Sequence, residues 1–391
     1  MKTLGLYLHI PFCISKCRYC DFYSIPEAAR PVPERYVDAL CEHMHEYALQ
    51  ANEYAVTTVY IGGGTPSLLT PDQMKKIMKK IKSSFHLSAK CEISMEMNPK
   101  TADFTKLRAF RRLGINRLSI GVQSFDDADL NLCGRAHNAA DAVNAFTAAR
   151  KAKFDNISFD LMYGIPGQSL QTLVNNINTA IHLEPEHISL YGLKVEEGTP
   201  FWFDRHSLAF PDEETERSMY FTAIGLLEKA GYHQYEISNF AKRGYSCRHN
   251  LKYWNCDEYL GFGPAAHSYF GGKRFSLKKD LNLYMDSFDP EKTVDTPLVD
   301  EYIDIPYPSR VAEYVMLRFR LTAGISCAAF RKKFGRDFEE MYLSKLAPYL
   351  ASGHVIRTPK GYAFSPEGMY VSNYILARVV DFDLVIPGSQ N

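Results

Sequence analysis

Cys13, Cys17 and Cys20 stand in a C-x3-C-x2-C run within LYLHIPFCISKCRYCDF, residues 6–22. The run follows a short apolar, strand-like segment, so the turn after that strand can aim three thiolates at one centre. Three is an informative number. A closed structural zinc site takes four ligands, and a [4Fe–4S] electron carrier normally takes four cysteines. Three thiolates on a [4Fe–4S] cubane leave one iron open to a further ligand. On spacing alone two other readings stay open: buried cysteines as small apolar side chains, and part of a zinc site completed by a distant histidine. Covalent haem attachment through C-x-x-C-H does not apply, because Asp21 follows Cys20.

The elements that must position these thiols are legible in the pattern that follows. Residues 4–194 alternate short β-rich runs with amphipathic helical stretches. Strands are predicted at 4–10, 58–61, 92–97, 117–122, 157–161 and 188–195, and helices at 33–50, 71–83, 103–113, 139–151 and 170–183. The alternation predicts an α/β fold of six βα units on a parallel sheet, a partial TIM-like (β/α)6 barrel. In such a barrel the chemistry gathers at the C-terminal ends of the strands. Strand one runs into the cysteines, and strand two runs into Gly62-Gly63-Gly64-Thr65-Pro66. Strand three ends with Glu96 and Asn98, strand four with Gln123, strand five with Asp160, and strand six with Lys194 and Glu196. Any one of these groups can cap a helix or satisfy a loop amide. Six successive strand ends carrying them point to a site. The glycine run allows the backbone close to a ligand but lacks the Lys-Ser/Thr ending of a triphosphate cradle; a plain tight turn is its alternative reading.

The chain has 391 residues, with 45 Lys plus Arg against 45 Asp plus Glu and 46% hydrophobic residues. That length exceeds what one core usually fills, and the neutral balance gives no bias towards polyanions, so nucleic acid is not an expected partner. The start MKTLGLYLHIPFC turns polar too soon for a signal peptide, and no apolar run reaches the ~18 residues of a membrane span. Nine scattered cysteines fit reduced thiols, so a cytoplasmic location is expected. We divide the chain into 1–235, the barrel; 236–305, a barrel-closing region in which glycine-rich 261–267 (GFGPAAH) is expected to close the open side of the sheet; and 306–391. The last part predicts helices at 310–320, 327–334, 338–351 and 366–380 and a hairpin of 354–358 with 362–365. It is a winged-helix-like α+β domain, expected to act as a cover or partner surface.

Several blocks then occur in order: YLHIPFC at 7–13, GGGTP at 62–66, SMEMNP at 94–99, GVQSF at 121–125, GRAH at 134–137 and FDLMYGIPGQ at 159–168. With them the chain resembles the radical S-adenosylmethionine (SAM) family, in the branch that holds oxygen-independent coproporphyrinogen III oxidase and its haem-chaperone relatives. The resemblance implies a [4Fe–4S] cluster on Cys13, Cys17 and Cys20, with the amino and carboxylate groups of SAM on the open iron. It implies Tyr7 near cluster and SAM, Gly63, Gly64 and Thr65 holding the methionyl part, and Glu96, Gln123, Arg135 and Asp160 contacting SAM or, in the oxidase, a second SAM. Glu96 or Asp160 can accept bonds from ribose hydroxyls or an ammonium, and Arg135 can fork onto a carboxylate. Lys194 is a weaker match.

The oxidase carries a further cysteine two residues after its third, where this chain has Phe22, and a longer segment before its first strand. Arg248 to Trp254 reads RHNLKYW and matches the HNxxYW motif of the haem-chaperone branch. All three features point to that branch, and hence to haem as cargo, passed to a haem-requiring acceptor such as a respiratory protein. Peripheral membrane contact through the acceptor and a homodimer are further expectations. His249 can offer an imidazole nitrogen to haem iron, and Tyr253 and Trp254 can present flat surface to a porphyrin. The plainer reading makes the Tyr-Trp pair core and the histidine a structural hydrogen-bonding group, with Cys247 and Cys256 as flanking alternative ligands. The alternative activities are oxidative decarboxylation of coproporphyrinogen III and radical modification of a tetrapyrrole.

Overall fold

The computed structural model describes residues 1–26 and 32–381. Six strands form its centre: β1 (Lys2–Ile10), β2 (Tyr54–Gly63), β3 (His86–Met97), β4 (Arg117–Gln123), β5 (Ile157–Tyr163) and β6 (His187–Gly192). They pair in parallel in sequence order. After each comes a helix: α1 (Glu34–Glu46), α2 (Pro71–Ser84), α3 (Phe104–Leu113), α4 (Ala139–Lys151), α5 (Leu170–Leu183) and α6 (Glu213–Lys229). Local chemistry sets their ends. Thr70 and Asn138 form capping boxes with Gln73 and Asp141 at the starts of α2 and α4, and Gly114 ends α3 in the left-handed region at φ 113°.

Side chains alternate across each strand with a consistent split. Leu4, Leu6 and Leu8 of β1, Val59 and Ile61 of β2, Ile93, Met95 and Met97 of β3, and their counterparts on β4 to β6 are buried in one apolar core with the helices. The other register carries Tyr7, Thr58, Tyr60, Ser94, Glu96, Arg117, Ser119, Ser158, Asp160, His187 and Ser189 into the lumen. The barrel therefore has an apolar outside and a polar inside. The helix Arg248–Trp254 packs beneath this lumen, where Glu92 of β3 accepts the backbone N–H of Arg248 and of His249, each at 3.1 Å. That carboxylate satisfies and charge-complements the helix N-terminus.

The sheet is open and wider than six strands. Tyr259–Phe262 adds a seventh parallel strand along β1, with Gly5 opposite Tyr259 and Leu8 opposite Phe262. Antiparallel strands His267–Phe270, Lys273–Leu277 and Val299–Asp304 follow beyond it, and Asn239–Ala241 and His233–Glu236 extend the β6 edge, twelve strands in all. The 261–267 segment, expected to close the open side, instead starts inside this added strand and extends the sheet past β1. Gly261 is required there, because a Cβ would lie 2.2 Å from the carbonyl oxygen of His267.

The C-terminal part has its own core, built on Val315, Phe319, Phe330, Phe338 and Leu346. Helices Tyr307–Phe319, Cys327–Phe334 and Phe338–Ala351 surround a small sheet. The expected two-stranded wing, Val355–Thr358 with Gly361–Phe364, gains a third short strand, Ile325–Ser326. The expected final helix is two, Pro366–Tyr370 and Ser372–Val379, broken at Val371. A β-bridge from Glu236 to Leu321 ties this part to the barrel end. Among the described residues no helix is long and apolar enough to cross a membrane.

Candidate functional site

The C-terminal ends of the six strands open into a cavity of about 390 Å³. Cys13, Cys17 and Cys20 line it together with Gly63, Gly64, Glu96, Gln123, Arg135 and Asp160. Nine residues singled out from the sequence thus share one wall-to-wall space. The three thiols are free. Among the described residues no three His, Cys, Asp or Glu side chains converge tightly enough for a single metal ion. Three thiols facing one shared cavity suit a polynuclear cluster better than a lone zinc, whose ligands must all lie within ~2.3 Å of one atom.

The cysteine loop is pinned from two sides. The Thr65 hydroxyl donates to Cys13 Sγ at 3.5 Å and accepts from Asn98 Nδ2 at 2.9 Å. Arg135 Nη1 reaches Cys17 Sγ at 3.2 Å, while its Nη2 donates to Asn98 Oδ1 at 2.6 Å and to the Gly121 carbonyl at 2.7 Å. The fork expected to seize a ligand carboxylate is therefore engaged with the protein, tying the loop to β3 and β4. Burial pushes the Cys20 thiol up to about 11, and raises Cys13 as well, with the Thr65 hydrogen bond pulling the other way. Without a metal both are neutral thiols.

The glycine run is sterically compelled. A Cβ on Gly64 would lie 2.7 Å from the carbonyl oxygen of Phe12, and Gly63 sits at φ 111° with the His9 ring 2.7 Å from where its Cβ would be. The Gly63 N–H donates to Glu96 Oε2 at 3.1 Å, and the Tyr60 hydroxyl donates to Glu96 Oε1 at 2.8 Å. Burial pushes the Glu96 carboxyl up to about 7 against those two bonds. Asp160 accepts from the Ser119 hydroxyl at 3.0 Å and is also raised by burial. Gln123 ends β4 in the left-handed region at φ 68°, unusual for a residue with a Cβ, and lines the cavity.

Three predicted residues do not line the cavity. Thr65 lies behind it, in contact with Cys13. Tyr7 is screened by Tyr60: the rings stack 6.3 Å apart at 24°, and the Tyr7 hydroxyl is bonded to His9 Nδ1 at 2.9 Å. Tyr60 is the ring that meets the cavity, and the sequence reading missed it. Its signal was the period-2 register it shares with Gly62. His249 is fully buried at the lumen floor, with Nδ1 bonded to Thr58 Oγ1 and Nε2 to the Tyr253 hydroxyl, each at 2.9 Å. Its ring stacks on Tyr60 at 5.3 Å, and burial holds its imidazole down at about 3, so it is neutral. Cys247 is buried beside Glu92, and Trp254 lies under the guanidinium of Arg320 at 6.0 Å. Phe22, 65% exposed, stands at the cavity mouth with Lys194.

A rim of three thiols, a glycine cradle without room for a side chain, and buried carboxylates at the ends of parallel strands define the class: this is a radical SAM protein. The Radical SAM superfamily model matches residues 7–180 and the HemN C-terminal domain model matches 308–371. The Heme chaperone HemW of Bacillus subtilis is 38% identical over 94% of this chain and 97% of its own, and that of Escherichia coli 32% identical over 96% and 98%. The chain belongs to the HemW family. Coproporphyrinogen III oxidase (HemN) from Escherichia coli shares the fold, with a TM-score of 0.84 over 97% of this chain and 91% of its own at 22% identity. The cofactors of the class are a [4Fe–4S] cluster and SAM, and the residues present fit them. When bound, the reduced cluster supplies the electron that can cleave SAM to a carbon radical.

Proposed function

We propose that this protein is a haem chaperone on a radical SAM scaffold: it binds haem and passes it to a haem-requiring acceptor, such as a respiratory protein. The observation that carries this reading is similarity over most of the chain, at 31–39% identity, to relatives named Heme chaperone HemW. Cys13, Cys17 and Cys20 would hold the cluster. Gly63 and Gly64 would offer SAM their backbone, and Glu96 and Asp160 would accept from its hydroxyl or ammonium groups. Phe22 supports the chaperone over the oxidase, since it stands exposed where the oxidase pattern has a cysteine.

His249 is the proposed haem ligand. Its neutral imidazole has the protonation state that iron requires. To reach iron it must exchange the Tyr253 hydroxyl at Nε2 for the metal, so ligation entails movement of the Arg248–Trp254 helix. Dimerisation and membrane contact through the acceptor belong to the same proposal. The test is anaerobic: reconstitute the cluster, add haem or coproporphyrinogen III with SAM and a reductant, and follow the haem spectrum and product mass. Haem binding without decarboxylated product is the expected result. Protoporphyrinogen formation would make the protein an oxidase and overturn the reading.

A further inference from the structure

Asn98 links two of the three cluster cysteines. Its Oδ1 accepts from Arg135 Nη2 at 2.6 Å, and its Nδ2 donates to the Thr65 hydroxyl at 2.9 Å. Each of those partners then aims a donor at sulfur: Arg135 Nη1 at Cys17 Sγ, 3.2 Å away, and the Thr65 hydroxyl at Cys13 Sγ, 3.5 Å away. The brace does not need the cysteines to keep its shape. The Gly121 carbonyl accepts from Arg135 Nη2 at 2.7 Å, and the Tyr19 hydroxyl oxygen from Nη1 at 3.4 Å. Gly121 leaves the room for it, because a Cβ there would lie 2.6 Å from Asn98 Oδ1 and 3.2 Å from Arg135 Nη2.

A hydrogen bond to a ligand sulfur, and a positive charge beside it, favour the cluster state that carries one more electron. The four groups that Arg135 bonds are an amide, a carbonyl, a thiol and a phenol, none of them a carboxylate. Asp160 interacts electrostatically with the guanidinium, but its oxygens take the Ser119 hydroxyl at 3.0 and 3.1 Å. It therefore acts on Arg135 from beyond bonding distance, whereas Cys17 is in contact, and the cation prevails at that sulfur. We infer that the Asn98 brace sets the reduction potential of the cluster. Arg135 on Cys17 and Thr65 on Cys13 raise it, so that the cluster accepts its electron more readily, and Arg135 serves the cluster rather than a carboxylate of SAM. The inference rests on Cys13, Cys17 and Cys20 as the ligand set.

The test is a potentiometric titration of the one-electron couple of the cluster, read by electron paramagnetic resonance. It uses the full chain reconstituted anaerobically, with titanium(III) citrate as reductant and neither SAM nor haem present. Iron and sulfide are counted in each protein first. Arg135→Gln, which loses the charge, should keep its cluster and shift the reduction equilibrium about tenfold or more towards the oxidised state, a fall of ~59 mV for one electron. Arg135→Lys should recover part of that fall, and Thr65→Val, of the same shape without the hydroxyl, should move the potential the same way by less. Wild-type potentials in Arg135→Gln and Thr65→Val, with only SAM affinity weakened, would make Arg135 a clamp for SAM; the brace is then refuted and the ligand set stands. A wild type that retains no iron would overturn the ligand set, and this inference with it. Should Arg135→Gln lose its cluster, Thr65→Val decides alone, and an unchanged potential there refutes the brace.

Discussion

Glu96→Gln separates the charge of the cavity's central carboxylate from its shape. Burial pushes Glu96 up to about 7 from an ordinary value of 4.5, while Tyr60 and the Gly63 N–H oppose the shift. In the unfolded chain the group loses its proton near 4.5. Between about pH 4.5 and 7 the folded chain thus holds a proton that the unfolded chain has released, and stability falls as pH rises through that window. Below it both states are protonated, and above it neither is. At about 1.36 kcal/mol per pKa unit the whole window amounts to roughly 3 kcal/mol, an upper bound because the cavity admits water. The amide of the variant has no such proton, and its fixed costs, including an NH2 turned towards the Gly63 N–H, do not vary with pH. The stability of Glu96→Gln relative to wild type should therefore climb from about pH 5 to 7 and level off above. Urea unfolding of the reduced, cluster-free chain at a series of pH values measures this. A difference that stays flat across the window, or runs downward, would refute the reading of Glu96 as a carboxylate strained by burial.

Cys17→Ala should abolish cluster assembly, read as iron and sulfide content, while circular dichroism stays native; full iron retention would remove Cys17 from the ligand set. Gly64→Ala drives a methyl to within 2.7 Å of the Phe12 carbonyl. It should cost about 1–3 kcal/mol of stability and weaken SAM binding at least roughly tenfold by titration calorimetry. His249→Ala strands the Thr58 and Tyr253 hydroxyls in a buried site, at about 1–3 kcal/mol each. A drop in Tm is expected before any haem is added, so haem spectra of this variant should be compared at a temperature where both proteins are folded. Haem affinity that survives intact there would reassign the iron ligand.

The barrel was legible because its strands and helices carry different periods, and because each strand end delivered a polar group to one rim. The strands extend further than their patterns indicate: β2 begins at Tyr54 and β3 at His86, since their first residues are mixed in exposure and polarity. The seventh parallel strand was missed because Tyr259–Phe262 is four residues long and contains a glycine, below what pattern alone can resolve. Spacing singled out the three cysteines and the glycine run but left their roles open, and the fold brings both to one cavity. Arg135 and Tyr60 needed the fold. An arginine in GRAH does not announce that it will fork onto Asn98 and Gly121, and Tyr60 sits one residue from the strand's apolar register. The buried state of His249 was equally hidden, because nothing in RHNLKYW says that the helix will be turned inward onto β2.

The floor of the lumen is supplied very late in the chain. His249 bonds Glu92 across a separation of 157 residues, and Gly5 lies opposite Tyr259. During synthesis at ~5–20 residues per second, the cysteines at 13, 17 and 20 wait on the order of 10–50 s before residue 254 emerges. Throughout that interval the nascent tube has no bottom, and its thiols are open to oxidants as well as to iron. Long-range closure of this kind is slow even once the residues are available. Yield of active protein should consequently depend on the redox conditions met on the ribosome, and truncation before Arg248 should leave a chain that collects oxidative damage at its N-terminus however well its six strands are formed.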